Sequence, residues 1–554
     1  MLPFLVIAVF IGSFWPVRSG DFVIDDYVFL AQSRLIEAPL AAFWSSHFYE
    51  PIYFRPIGIV IWWLATEAFG LDYARHSMIN LGLHVINILL LHALLAQLGV
   101  KPMARLAGVA AFALLPFTVA ATLWPSNRFD LLAVGFLLGL AIAVLRFLQT
   151  GRWPWLLLAA LLSITACLGK EIAFPVATTI ACLGLAARSI SWARRMTVFA
   201  VLGFSISLTF LYRHFMLASP YAVGGNNLLG RMASGVRTWF ESMPELARAA
   251  VIEPTIPAVS VVAWSVVLVV LTLAMIGVLA RWRPGRIKAR RLEGSLRDEQ
   301  GPWHAHVLGA VMVVAGITIL FQAPLTWNFR EMLSADTLGT VTFARFYYLP
   351  MAALAAALAI ALMRIRYVTT VSLAMVVATM ALAIEQRDLA KRFAAWTDEE
   401  IRPMAVAAAE TVDQVSGETL DRNVTEDQPC VVVLLDTQKD HPWFRMFSDV
   451  TVKARASHEP TWQCYVMTET TPWLFISPQD EPLPEVGLSK IAVDSIGTPL
   501  EDSMWGGVRY RYRQSPEGPR SLPEARYFAW QDDRFIEVTD EVHGGARTVE
   551  FHHW

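Results

Sequence analysis

About eleven stretches of this 554-residue chain are long and apolar enough to cross a bilayer, and that repetition restricts the fold more than any motif does. They lie near 2–16, 78–98, 106–123, 131–149, 154–168, 171–187, 197–215, 257–280, 305–325, 347–363 and 367–385. Lipid offers no partner to backbone N–H and C=O groups, so each stretch must close its own hydrogen bonds as a helix. A content of 55% hydrophobic and 17% charged residues agrees with a polytopic α-helical membrane protein and excludes an ordinary soluble domain. Net charge is −2, and no basic tract resembles a groove for a phosphate backbone, so no nucleic-acid partner is expected.

The first stretch, MLPFLVIAVFIGSFW, lacks a basic leader and a small-residue cleavage site, and is read as a retained helix. A further apolar piece, 56–69, is short and bounded by Arg55 and Glu67; an interfacial or re-entrant helix is expected there. Lys and Arg set the orientation. With a cytoplasmic N-terminus, the inner loops hold Lys101 and Arg105, Arg146 and Arg152, Arg188, Arg194 and Arg195, the run 281–291, and Arg364 and Arg366. The chain therefore divides into a membrane domain at 1–387 and an extracytoplasmic tail at 388–554, most simply in a bacterial inner membrane with a periplasmic tail. The tail should open with a helix at 388–416 and continue with short strands such as CVVVLL (430–435), WQCYVM (462–467) and RYRYR (509–513), giving a small α+β domain. Of four cysteines, Cys167 and Cys182 fall in apolar stretches. Cys430 and Cys464 fall in the tail, where they could pair if it is extracytoplasmic.

Polar groups gather on the outward side, where ionisable residues at a membrane edge are costly and mark pathways or sites. In chain order they are Asp25 and Asp26; Tyr53 and Arg55; His76, Asn80 and His84; Arg128 and Asp130; Lys170 and Glu171; and Arg345 with Tyr348. His76, Asn80 and His84, spaced i, i+4, i+8, share one helix face. Adjacent aspartates do not both ionise easily without a cation, a metal or a raised pKa suited to a base. Arg55, Arg128, Lys170 and Arg345 exceed what two aspartates need, and suit an anionic ligand such as a phosphate. Taken singly, each group has a plainer role: solvated loop charges, interfacial anchors, or hydrogen bonds between helices.

The order of these motifs resembles that of the GT-C superfamily of polyprenyl-phosphate-sugar glycosyltransferases, and most closely the O-mannosyltransferases fused to tetratricopeptide repeats and their bacterial relatives. Val23-Ile24-Asp25-Asp26 matches the acidic motif, and Tyr53-Phe54-Arg55-Pro56-Ile57 a Y-x-R-P element with Phe inserted. His76, Asn80 and His84 match the second-helix face. Arg128-Phe129-Asp130-Leu131-Leu132 matches R-x-[DE]-L-L, Lys170-Glu171 a K-E pair, and Arg345 to Pro350 the late R-[FY]-x-Y-L-P motif. The likeness covers about 1–385; the tail carries no tetratricopeptide pattern, and Ala344 stands where an acidic residue is common.

The resemblance implies an inverting transfer from a polyprenyl-phosphate sugar to an acceptor hydroxyl of unspecified kind. It gives Asp25 the role of general base, with Asp26 positioning it. Arg55, Lys170 and Arg345 would bind the donor phosphate. Tyr53, His76, Asn80, His84, Arg128, Asp130, Glu171 and Tyr348 would line the substrate site. Some members use a divalent metal, but four cations already supply that charge, so no metal or other cofactor is expected. Two other classes stay open: a transporter or flippase for an anionic lipid-linked substrate, and a non-catalytic membrane assembly protein.

Overall fold

The computed structural model describes residues 2–23, 26–27, 29–30, 33, 38–44, 54–115, 118–186, 190–216, 237, 257–281, 308–309, 311–319, 345–421, 430–435, 464–468, 501–505, 508–512 and 525–547. The described chain is mostly helical: α1 (Leu2–Phe14), α2 (Pro56–Phe69), α3 (Tyr73–Gln97), α4 (Pro102–Leu114), α5 (Val119–Leu123), α6 (Arg128–Thr150), α7 (Trp153–Gly169), α8 (Ala173–Ala186), α9 (Trp192–Met216), α10 (Pro257–Arg281), α11 (Tyr348–Leu362), α12 (Val368–Trp396) and α13 (Arg402–Asp421). Among the described residues, four helical runs are long and apolar enough to cross a membrane: Tyr73–Gln97, Pro125–Thr150, Trp192–Met216 and Val368–Val415. Seven shorter apolar helices accompany them. Nine of the eleven expected spans coincide with these helices; the expected span 106–123 is instead broken into α4, which ends at Leu114, and the short α5, which starts at Val119. Of the eleventh, 305–325, only 308–309 and 311–319 are described, and these residues are helical.

The chain divides into two compact units. The first comprises 1–18, 74–213 and 222–394, the helical bundle. Its helix ends follow from local sequence. Pro102 opens α4 at a position where the missing N–H costs nothing. Leu115, next to Pro116, is extended and closes that helix. Gly151, at φ +70°, ends α6 in the left-handed conformation, its N–H donating to the Phe147 carbonyl at 2.7 Å. Arg194 Nη1 donates to the Leu148 carbonyl at 3.3 Å, and Arg195 Nη1 to the Leu185 carbonyl at 2.7 Å. Each arginine thereby covers orphan carbonyls at the C-terminal end of a neighbouring helix, α6 or α8, where a cation also suits the helix dipole.

Inside the bundle, α4 and α11 meet through small residues, as close helix packing in lipid requires. A Cβ on Gly108 would stand 2.7 Å from the Ala355 carbonyl oxygen and 2.8 Å from Ala359 Cβ. Alanine-rich α11 is buried along nearly its whole length.

The second unit comprises 19–73, 214–221 and 395–554. It includes α2, whose 14 residues span only about 21 Å at 1.5 Å each. That is short of the roughly 30 Å hydrocarbon core. A five-residue π-helical turn (Thr397–Ile401) joins α12 to α13. Beyond it lie β1 (Cys430–Leu435), β2 (Cys464–Thr468), β3 (Glu501–Trp505), β4 (Val508–Tyr512), β5 (Ala525–Gln531), β6 (Arg534–Glu537) and α14 (Thr539–His543). The main sheet has the order β2-β1-β5-β6, with β1 parallel to both neighbours and β5–β6 an antiparallel hairpin; β3 and β4 form a separate pair. Asp532 and Asp533, both at positive φ, make the two-residue hairpin turn. Arg526 on β5 bridges Glu418 of α13 at 2.7 Å and Glu537 of β6 at 2.6 Å. The Glu537 hydrogen bonds push its guanidinium pKa up; partial burial opposes them and Glu418 adds to them.

Gly108→Ala is expected to destabilise the bundle by about 1–3 kcal/mol through overpacking. The detergent-solubilised protein should melt at a lower temperature, while Gly82→Ala, with nothing within 4 Å of the added carbon, should melt no lower than the wild type.

Candidate functional site

In the second unit the acidic loop is held by its own carboxylates. Asp26 N–H donates to the Val23 carbonyl at 2.9 Å, and Asp26 Oδ2 accepts the Val23 N–H at 3.0 Å. This reciprocal pair closes a turn in the manner of a capping box. Asp21 Oδ1 accepts the Phe22 N–H at 2.8 Å, and Asp21 N–H donates to Thr397 Oγ1 at 2.9 Å. The Arg402 guanidinium stands 3.7 Å from the Asp21 carboxylate. Asp21, Asp26 and Thr397 are all buried. Buried carboxylates need such partners, so this part of the loop has little freedom. Asp25 and Tyr53 lie outside the described residues. Arg55 directly precedes α2, and its carbonyl accepts the Ile59 N–H at 3.1 Å.

In the first unit the predicted face of α3 is real and longer than expected. His76, Asn80, His84 and Asn87 are all buried. The Asn80 amide donates to the carbonyls of Trp124 at 2.9 Å and Ala121 at 3.2 Å, which ties α3 to the connection ahead of α6. Arg128, with none of its surface exposed, donates from Nη2 to the His76 carbonyl at 3.2 Å and from Nε to Asn80 Oδ1 at 3.4 Å. Its guanidinium bonds α6 to α3.

A second network lies deeper. Asn87 Nδ2 donates to Tyr348 Oη at 2.9 Å and to the Leu131 carbonyl at 2.8 Å, and Tyr348 Oη lies 2.6 Å from His84 Nδ1. One direction of donation satisfies these contacts: Asn87 to Tyr348, then Tyr348 to His84 Nδ1. The remaining imidazole proton is then on Nε2, and the ring faces the Ala113 backbone. Phe10 and Phe112 pack on that ring at 4.6 and 5.0 Å. Gly135 makes room for the network, since a Cβ there would be 2.7 Å from Asn87 Oδ1.

Two further pairs of charges meet in the first unit. Lys170 and Asp130 form an ion pair, and Arg213 Nη2 meets Glu171 Oε1 at 3.0 Å. Lys170 and Glu171 sit in the turn between α7 and α8, and their side chains retain 17% and 24% exposure, against 3% for Asp130 and 7% for Arg213. These two are therefore the pair members that reach the outside. Arg345 opens the single turn that leads into α11.

The structure thus joins His76 with Asn80 and Arg128, Asp130 with Lys170, and His84 with Tyr348. It supplies Glu171 with Arg213, which the motif reading passed over. Asn87, Asp21 and Thr397 were also missed. Asn87 carried a signal, three residues beyond His84 on the same face; so did Arg213, a lone cation in an apolar stretch. Asp21 and Thr397, 376 residues apart, carried none. Among the described residues no three His, Cys, Asp or Glu side chains are grouped to hold a metal ion.

No protein-family model matches the chain, and no curated protein matches it. Solved structures similar to it include the Archaeoglobus fulgidus oligosaccharyltransferase in complex with Zn and sulfate, at 11% identity and TM-score 0.47, covering 90% of this chain and 65% of that one. The archaeal oligosaccharyltransferase AglB from the same organism, in complex with an inhibitory peptide and a dolichol-phosphate, gives 12% identity and TM-score 0.44, covering 90% and 67%. ArnT from Cupriavidus metallidurans bound to undecaprenyl phosphate gives 14% identity and TM-score 0.31, covering 93% and 99%. The chain spans 63% of the length of the apo archaeal enzyme. At these identities and scores the likenesses assign no residue a role.

Tyr348→Phe removes the hydroxyl shared by Asn87 and His84, and is expected to cost about 1–3 kcal/mol of stability. Adding His84→Phe should cost less than the two single changes summed, because they share one network. Thermal melts of the four proteins check the cycle.

Proposed function

We propose that this chain is an inverting glycosyltransferase that moves a sugar from a polyprenyl-phosphate donor to an acceptor hydroxyl on the extracytoplasmic side of the membrane. The observation that supports this most is the unequal chemistry of the two ends of the bundle. Arg128 and Asp130 begin α6, Lys170 and Glu171 join α7 to α8, Arg213 lies near the end of α9, and Arg345 precedes α11. The opposite helix ends carry Lys101, Arg105, Arg146, Arg152, Arg194, Arg195, Arg364 and Arg366 with hardly an acid among them. A purely basic end suits the cytoplasmic face. An end with both signs, its acids partly engaged by cations, suits binding and releasing a phosphate.

In this reading the acceptor oxygen attacks the anomeric carbon from the side opposite the lipid phosphate while Asp25 takes the hydroxyl proton. The carbon–oxygen bond to the phosphate breaks, and the lipid phosphate leaves with the bonding electrons. Arg55, Lys170 and Arg345 stabilise the charge it gathers. Asp26 does not exchange protons; bonded to Val23, it fixes the turn that carries Asp25. Asp130 holds Lys170, and Arg213 holds Glu171, at the turn between α7 and α8. Arg128, His84 and Tyr348, all buried, act as framework for the site and do not touch substrate.

Asp25→Asn should abolish transfer while leaving expression and melting temperature unchanged, whereas Asp26→Asn should lower both stability and activity. The readout is the mass profile of cell-envelope glycans from a deletion strain complemented with each variant. Wild-type glycans restored by Asp25→Asn would sink the reading.

A further inference from the structure

Cys430 and Cys464 open two neighbouring strands of the tail sheet. β1 and β2 run parallel, and their register sets Cys430 opposite Cys464, Val431 opposite Tyr465 and Val432 opposite Val466. Register partners in adjacent parallel strands share a face of the sheet and stand about 4.7–4.9 Å apart at Cα. Disulfides span Cα separations of about 4.4–6.8 Å, so the backbone already meets the requirement. Each cysteine is also the first described residue of its strand. Among the described residues β2 is an edge strand, bonded in the sheet to β1 alone, which is where an added tie has most effect. The other two of the four cysteines, Cys167 and Cys182, are free thiols on α7 and α8.

We propose that Cys430 and Cys464 are joined by a disulfide that staples β2 to β1 and closes the intervening chain into a ring. The proposal rests on the extracytoplasmic placement of the tail, since thiols are kept reduced in the cytoplasm. The oxidant is an extracytoplasmic protein disulfide. One cysteine thiolate attacks it to give a mixed disulfide, and the other displaces the oxidant. Two thiols lose two protons and two electrons, and the oxidant's disulfide becomes a dithiol.

Protein purified from membranes and denatured without reductant should take up two polyethylene-glycol maleimide groups, at Cys167 and Cys182, and four after reduction. Cys430→Ser should take up three without reductant, because Cys464 is released. Should that variant fail to accumulate, mass spectrometry of unreduced wild-type peptides gives the same answer through the linked Cys430 and Cys464 peptides. Four adducts on unreduced wild type, or unlinked peptides, overturn the staple. Gln531→Cys, exposed beside the β5–β6 turn, separates the two ways of failing. If a membrane-impermeant maleimide labels it on intact spheroplasts while Cys430 and Cys464 are free, the staple is wrong and the sidedness stands. If that maleimide does not label it, the sidedness is wrong and the staple falls with it.

Discussion

The buried guanidinium of Arg128 is the interaction on which the polar end of the bundle depends. A cation taken wholly out of water costs several kcal/mol unless oxygen atoms surround it. Here the oxygens come from α3, through the His76 carbonyl and the Asn80 side chain. Asn80 meets that demand while its own amide holds the carbonyls of Ala121 and Trp124. One side chain on α3 thus fixes both the start of α6 and the connection before it. Asp130, two residues beyond Arg128, is then held where it meets Lys170. The positions of the charges at the turn between α7 and α8 follow from this chain of contacts.

Much of this was legible from periodicity and hydropathy, because lipid imposes one rule on every span. The i, i+4, i+8 face of α3 was legible for the same reason. Some helix ends were not. α3 begins at Tyr73, five residues before its apolar stretch, and α12 runs eleven residues beyond 385, because a helix persists through polar sequence once its backbone bonds continue. In the tail, CVVVLL became β1, while WQCYVM and RYRYR each shifted by one or two residues to β2 and β4. The parallel pairing of β1 with β5, almost a hundred residues away, has no local signature.

The candidate site divides in the same way. As residues alone, Asp25 and Asp26 are adjacent aspartates of one type, and only the family resemblance divided them into base and positioning residue. The structure gives Asp26 a structural bond to Val23 and adds Asp21, bonded to Thr397 in the turn between α12 and α13. Residue type cannot distinguish a carboxylate that closes a turn from one that takes a proton; only its donors can. Likewise, Arg128 and Lys170 look alike as cations, yet one is sealed inside and the other reaches the surface.

Arg194 and Arg195 carry a further consequence. As charges they would serve membrane orientation equally well as lysines. As donors to the carbonyls of Leu148 and Leu185 they also close two helix ends, and Arg194 packs so tightly over Gly151 that a Cβ there would lie 2.9 Å from its guanidinium. Rearranging the charges to invert the chain in the membrane would therefore fray α6 and α8 as well. In the proposed orientation the same two side chains would serve topology and helix termination together, and neither could drift without the other.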